Sequence, residues 1–225
     1  MRRAVAFTLV TLVAAPGLSL TMYLTSRPNF GLFGMFGAKK QPPPTWVLHS
    51  QKVRLSKMDF KGAERPCGNW AWVAGVSEMA ALSGARLDQT YLVDRLYGGS
   101  VCLPSPGDVA ALAKQISHEY VLADGQKFTL AAQFKPGVPT QPDPLIYSLR
   151  QDRPLMLMWG NKTYLLTGMS YDEYIAPTGN KMFIVTELRL FDPLGDADKR
   201  EVIFSRDQDN PDEVNGVLEV SVHTK

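Results

Sequence analysis

The hydrophobic period of this chain changes once, near residue 150, and that change limits the folds open to it. Before it, apolar residues recur at helical spacing. Residues 70–84 carry Trp72, Val76, Met79 and Leu82 on one face, with Asn69 as a capping residue type and Gly84 as a stop. Residues 87–97 form a second helical stretch ending at Gly98-Gly99. A third is expected over 106–118, with Ser105 as cap, Pro106 in the first turn, and Val109, Leu112 and Ile116 facing inward. Asp143-Pro144 opens a short fourth helix reaching about Arg150. Beyond it, residues 155–159, 162–169, 182–191, 201–204 and 217–222 are β-branched or aromatic runs separated by turn residues. Helices followed by strands is the order of an α+β domain, with N-terminal helices packed on a C-terminal antiparallel sheet. Alternating βαβ units and a Gly-rich phosphate loop are both missing. That excludes a doubly wound nucleotide-binding sheet and gives no reason to expect a cofactor.

This domain is expected to begin near Val47, and what precedes it is of another kind. Met1-Arg2-Arg3 is basic, and no charged residue follows until Arg27. Residues 4–24 are an apolar run broken only by Pro16-Gly17 and a few hydroxyl residues. Such a run is long enough to span a hydrocarbon core of about 30 Å. A cleaved signal peptide would share this outline, with 4–13 as its apolar region and Val13-Ala14-Ala15 as a small-residue cleavage site. Either reading exports the remainder: anchored in an inner membrane and facing the periplasm or the extracellular side, or secreted once cleaved. Arg27, Lys39 and Lys40 lie beyond the run, so the positive-inside rule orients it only weakly. Residues 25–46 read as a linker, because a glycine at every third position from Gly31 to Gly37 and three prolines at 42–44 oppose helix and sheet alike. Its Phe, Leu and Met side chains suit a membrane interface, a partner, or merely a sticky tether. The expected organisation is 1–24 anchor or signal, 25–46 linker and 47–225 domain.

The balance of 24 basic and 22 acidic residues leaves a net charge of +2, scattered along the chain, which excludes a nucleic-acid partner. Two cysteines in an exported chain invite pairing. A Cys67–Cys102 bridge would tie the start of the first helix to the loop before the third, and closing that loop would contribute roughly 3 kcal/mol; the alternative is two unrelated thiols. His49, His118 and His223 are scattered over the domain's first segment, the third helix and the end of the chain. With two cysteines they make no metal-ligand spacing, so no metal is expected. Asp196/Asp198 and Asp207/Asp209/Asp212/Glu213 read as loop carboxylates without the spacing of a calcium loop. Asn161-Lys162-Thr163 is a glycosylation sequon, of consequence only in a eukaryotic host.

Three segments carry chemistry by their outline. Asn69-Trp70-Ala71-Trp72-Val73-Ala74 opens the first helix, and Gly84 follows Ala71 by thirteen residues. Arg153-Pro154 leads an apolar strand to Trp159-Gly160, after which residues 162–167 run to Gly168. Leu190-Phe191-Asp192-Pro193 closes the next strand. In this order and spacing, residues 60–195 resemble the papain-like cysteine peptidases of bacteria, in particular bacteriocin-leader-processing peptidases and type III effector thiol proteases. The resemblance implies a papain-like fold. It also puts the nucleophilic cysteine at Ala71, the histidine at Lys162 or, with a one-residue slip, at Thr163, and the orienting carboxylate at Asp192. Counting to Gly84 from Cys67 gives seventeen residues, one helical turn too many for Cys67 to hold the nucleophile's place. The glutamine expected to line the oxyanion site is Arg65 here, with Gln51 as a remoter candidate.

These departures remove the reaction. A thiol protease needs a thiolate held by a histidinium and a helix N-terminus, and that histidine then protonates the leaving amine. An aspartate only orients it. The resemblance therefore implies a non-catalytic domain, a pseudopeptidase whose groove, with Trp70 and Trp72 as candidate lining, binds a peptide or protein segment. Two other readings follow from the same residues: an active thiol peptidase using Cys67 with a base from His49, His118 or His223, or a structural envelope protein.

Overall fold

The computed structural model describes residues 45–60, 67–105, 108–122, 125–137, 142–160, 162–205 and 214–224. Residues 4–24 and nearly all of the linker lie outside these. Among the described residues no helix is long and apolar enough to cross a membrane.

The fold is α+β, with four helices among the described residues lying on a mostly antiparallel sheet. The strands are β1 Val47–Arg54, β2 His118–Val121, β3 Lys127–Pro136, β4 Leu155–Trp159, β5 Lys162–Ile175, β6 Lys181–Phe191, β7 Glu201–Ser205 and β8 Val214–Thr224. Their order is β2-β3-β8-β4-β5-β6-β7, with β1 on β5 as well. β5 is long enough to carry two partners end to end on one edge. Its first half pairs with β4 (Leu155 opposite Leu166), its second with β1 (Arg54 opposite Gly168).

The helices are α1 Ala71–Leu82, α2 Gln89–Tyr97, α3 Val109–Ile116 and α4 Asp143–Arg150. α1 is apolar nearly all round and is accordingly buried on most of its surface. It ends where the Gly84 amide reaches the Ala81 carbonyl and the Ala85 amide the Ala80 carbonyl, a closure that needs the φ of +84° that Gly84 adopts. Asp88 caps α2 by accepting from the Tyr91 amide at 3.0 Å, and Asp108 caps α3 by accepting from the Ala111 amide at 2.9 Å. Asp108 thus replaces Ser105 as the expected cap, and α3 stops at Ile116, so that His118 opens a strand rather than closing a helix.

Alternation along each strand divides the core in two. Met156, Met158, Leu165, Leu130 and Leu218 face α1, α2 and α3, while Leu155, Leu157, Leu166 and Leu188 face Leu145, Ile146 and Leu149 of α4. The expected order of elements needs two corrections. The sheet is not C-terminal alone, because β1, β2 and β3 arise before residue 137, and α4 lies on the face opposite the other helices. His223 likewise falls within β8, not after the last strand.

One junction fixes where β1 meets β4. The Leu55 amide donates to the Thr167 carbonyl at 2.9 Å, and both the amide and the hydroxyl of Ser56 donate to the carboxylate of Asp152, in the turn between α4 and β4. Those two donors hold the Asp152 carboxyl below the ordinary carboxylate range. A depressed folded pKa stabilises the fold above the unfolded value and ceases to do so as pH falls through the folded one. Thermal unfolding of the native chain should therefore lose stability below about pH 4. Asp152→Ala should be less stable at neutral pH and lose a smaller increment on acidification. Equal acid responses in scanning calorimetry would dismiss the link.

Candidate functional site

α1 begins at a crossroads of three chain segments. Cys67 is bonded to Cys102, with Cα atoms 5.7 Å apart, so the stretch 99–105 is drawn alongside the helix start. Two side chains then bind that stretch. The Asn69 side-chain amide donates to the Cys102 carbonyl at 3.2 Å, and the Trp70 indole donates to the Val101 carbonyl at 3.0 Å. Asn69 is therefore spent on the bridge loop and does not cap α1. Trp70 holds the cap position, and the first turn receives no side-chain cap.

Trp70 and Trp72, expected as groove residues, belong to the core. They are 4% and 1% exposed, the Trp70 N–H donating to the Val101 carbonyl and Trp72 packed in the core on the α1 side of the sheet. The exposed apolar side chains at this end are Val101 and Leu103, at 38% and 46%. Sequence reading passed over both. The only signal was their position on either side of a bridged cysteine.

α1 rests on the sheet through Gly75. A side chain there would meet Met156 Sδ at 2.7 Å and Leu165 Cδ2 at 3.5 Å, so the close approach of helix to sheet depends on glycine. Ala71 lies one turn before Gly75 on the same face. Thr163 lies two residues before Leu165 on the same sheet face. Each is therefore about 6 Å from the Gly75–Leu165 contact.

Alternation puts Lys162 and Thr163 on opposite faces of the sheet. Thr163 is buried, on the face covered by α1, with its hydroxyl 3.8 Å from Met158 Sδ. Lys162 is exposed and belongs to the opposite face. Asp192 follows Phe191, which pairs with Leu165, and its carboxylate accepts from the Leu194 amide at 2.9 Å. It caps its own turn. Phe60 stacks on Phe191 at 4.8 Å, at the end of β6.

The other candidates fall elsewhere. His49 pairs with Glu173, ten residues along β5 from Thr163, which is about 33 Å of strand. Gln51 pairs with Tyr171, about 26 Å along the same strand. His223 is seven residues along β8 from Gly216, which pairs with Met158 opposite Thr163, about 23 Å. His118 pairs with Leu130, itself opposite Val222, at that same remote end. Arg65, Asn161 and the acidic cluster 207–213 lie outside the described residues. Among the described residues no three His, Cys, Asp or Glu side chains form a metal-binding group. Compared with family models, curated proteins and solved structures, the chain gives no match.

Proposed function

We propose that this is an exported, membrane-anchored pseudopeptidase of papain-like architecture, whose α1 end binds a peptide or protein segment without cutting it. The observation that carries this reading is the seating of α1 on the β4–β5 hairpin through Gly75. That contact brings Ala71 and Thr163 each within one helical turn of it. In a peptidase of this architecture those are the places of the thiol and the imidazole, and here they hold a methyl group and a buried hydroxyl. The bridge at Cys67 also supports this reading over a thiol enzyme. A sulfur in a disulfide offers no thiolate, and the three imidazoles lie level with strand positions about 20–33 Å from the row of Thr163. Val101 and Leu103 are the apolar anchors a bound segment would use, held in place by the bridge and by Trp70.

Displayed random peptides selected on the native protein provide the test. Binders should slow maleimide labelling of an Ala71→Cys variant, lose at least tenfold affinity on Leu103→Asp, and be recovered intact after prolonged incubation. Binders that leave labelling of the introduced thiol unchanged would place recognition elsewhere. Cleaved peptides would make the protein an enzyme after all.

A further inference from the structure

Beyond the point where β5 leaves β4, the sheet narrows to a ribbon of three strands: β1, the second half of β5 and the first half of β6. Register fixes what its tip displays. Leu48, Tyr174 and Met182 form one row on one face, and Val47, Ile175 and Lys181 the adjacent row on the other. Val47 is 56% and Leu48 50% exposed, while Trp46, Tyr174, Ile175 and Met182 are partly buried. Lys181 is paired with Glu173 at 2.7 Å. A ribbon is expected to be apolar on the face that packs and polar on the other. Both faces of this tip carry apolar side chains, while Lys181 and the exposed turn 177–180 are its polar part.

That pattern has a chemical implication. A peptide groove or a flat protein contact would use one face of the ribbon. A tip with apolar side chains on both faces, a tryptophan, a tyrosine and a lysine suits edge-on immersion at the depth of lipid headgroups, where amphipathic rings concentrate. The chain's course agrees. The apolar run 4–24 and its linker join the domain at Val47, which is this tip and not the α1 end. We propose that the ribbon tip rests in the interfacial layer of the bilayer to which residues 4–24 tether the chain. This inference rests on reading that run as an uncleaved anchor. It would hold the domain with a fixed end toward the lipid.

The native cysteines are bridged, so an introduced thiol is the sole site for labelling. The full chain carrying Leu48→Cys or Met182→Cys, labelled with an environment-sensitive fluorophore, would be reconstituted into phosphatidylcholine–phosphatidylglycerol vesicles containing nitroxide-bearing lipids. Ile203→Cys, exposed on β7, serves as reference. Flotation with the vesicles together with quenching at 48 and 182 at least twice that at 203 is the expected result. Flotation with equal quenching at the three sites overturns the docking while leaving the anchor intact. A blue-shifted label at 48 that is the same in detergent and vesicles, without quenching, would mean that the linker covers the tip, and also overturns it. Failure to float removes the anchor and the docking together.

Discussion

A chain carrying Ala71→Cys and Thr163→His should alkylate at position 71 about tenfold faster at pH 6 than one carrying Ala71→Cys alone. The magnitude follows from two opposed effects. An ordinary thiol, with a pKa near 8.5, is roughly 0.3% thiolate at pH 6. A neighbouring imidazolium, absent from the chain carrying Ala71→Cys alone, lowering that pKa by about two units would raise the thiolate fraction nearly eightyfold. Nucleophilicity falls as basicity falls, which returns close to a factor of eight. The first turn of α1 has no side-chain cap to compete for its amides. Thr163 is buried, so the larger imidazole costs about 1–3 kcal/mol of packing, and circular dichroism should accompany the rates. Alkylation followed by mass spectrometry without reductant keeps the native bridge out of the readout. No gain from Thr163→His would end the papain-like reading of this end of the molecule. A gain from Lys162→His instead would overturn the face assignment of β5.

The second large effect concerns the bridge itself. Replacing Cys67 and Cys102 with serine should lower the unfolding free energy by about 3 kcal/mol in the chain-entropy account. For a domain of this size that is a fall in Tm of about 6–12 °C. The loss should be local before it is global. Without the bridge only the Asn69 and Trp70 hydrogen bonds hold 99–105 against α1. Amide exchange should therefore quicken at 67–72 and 99–105 while β4 and β5 stay protected. A Tm within 2 °C of the native chain, or unchanged exchange in those two segments, would make the bridge incidental.

How much of this was legible beforehand depends on which interactions decide each element. α1, α4 and β4 to β8 carry their own signals: apolar period, Asp-Pro at a helix start, and β-branched runs between turns. β1 and β3 carry little. Residues 47–54 bury only Val53, so their extended state comes from pairing with β5 rather than from local pattern. In β3 the small Ala131 and Ala132 blur the alternation. The caps failed for a related reason. Asn69 and Ser105 are suitable residues, but Asn69 is claimed by the carbonyl that the disulfide brings near, and Asp108 stands closer to the first turn of α3. At the candidate site, composition pointed to Trp70 and Trp72, whereas burial takes both and leaves Val101 and Leu103 outside. Lys162 and Thr163 are separated only by which face of a strand each occupies, and a one-residue slip inverts that.

The end-to-end seating of β1 and β4 along a single edge of β5 also sets how the domain responds to load. A pull arriving through the linker enters at Val47, the free end of β1, and acts across the rungs that join it to β5. Such a pull opens those rungs one after another from the tip inward. Shearing them together would need force along the strand. Because β4 holds its own stretch of β5 and its own neighbour β8, peeling stops at the Ser56–Asp152 clasp, having released Val53 from the α4 side of the core but left the α1 side untouched. The first strand thus behaves as a mechanical fuse between the linker and the rest of the molecule.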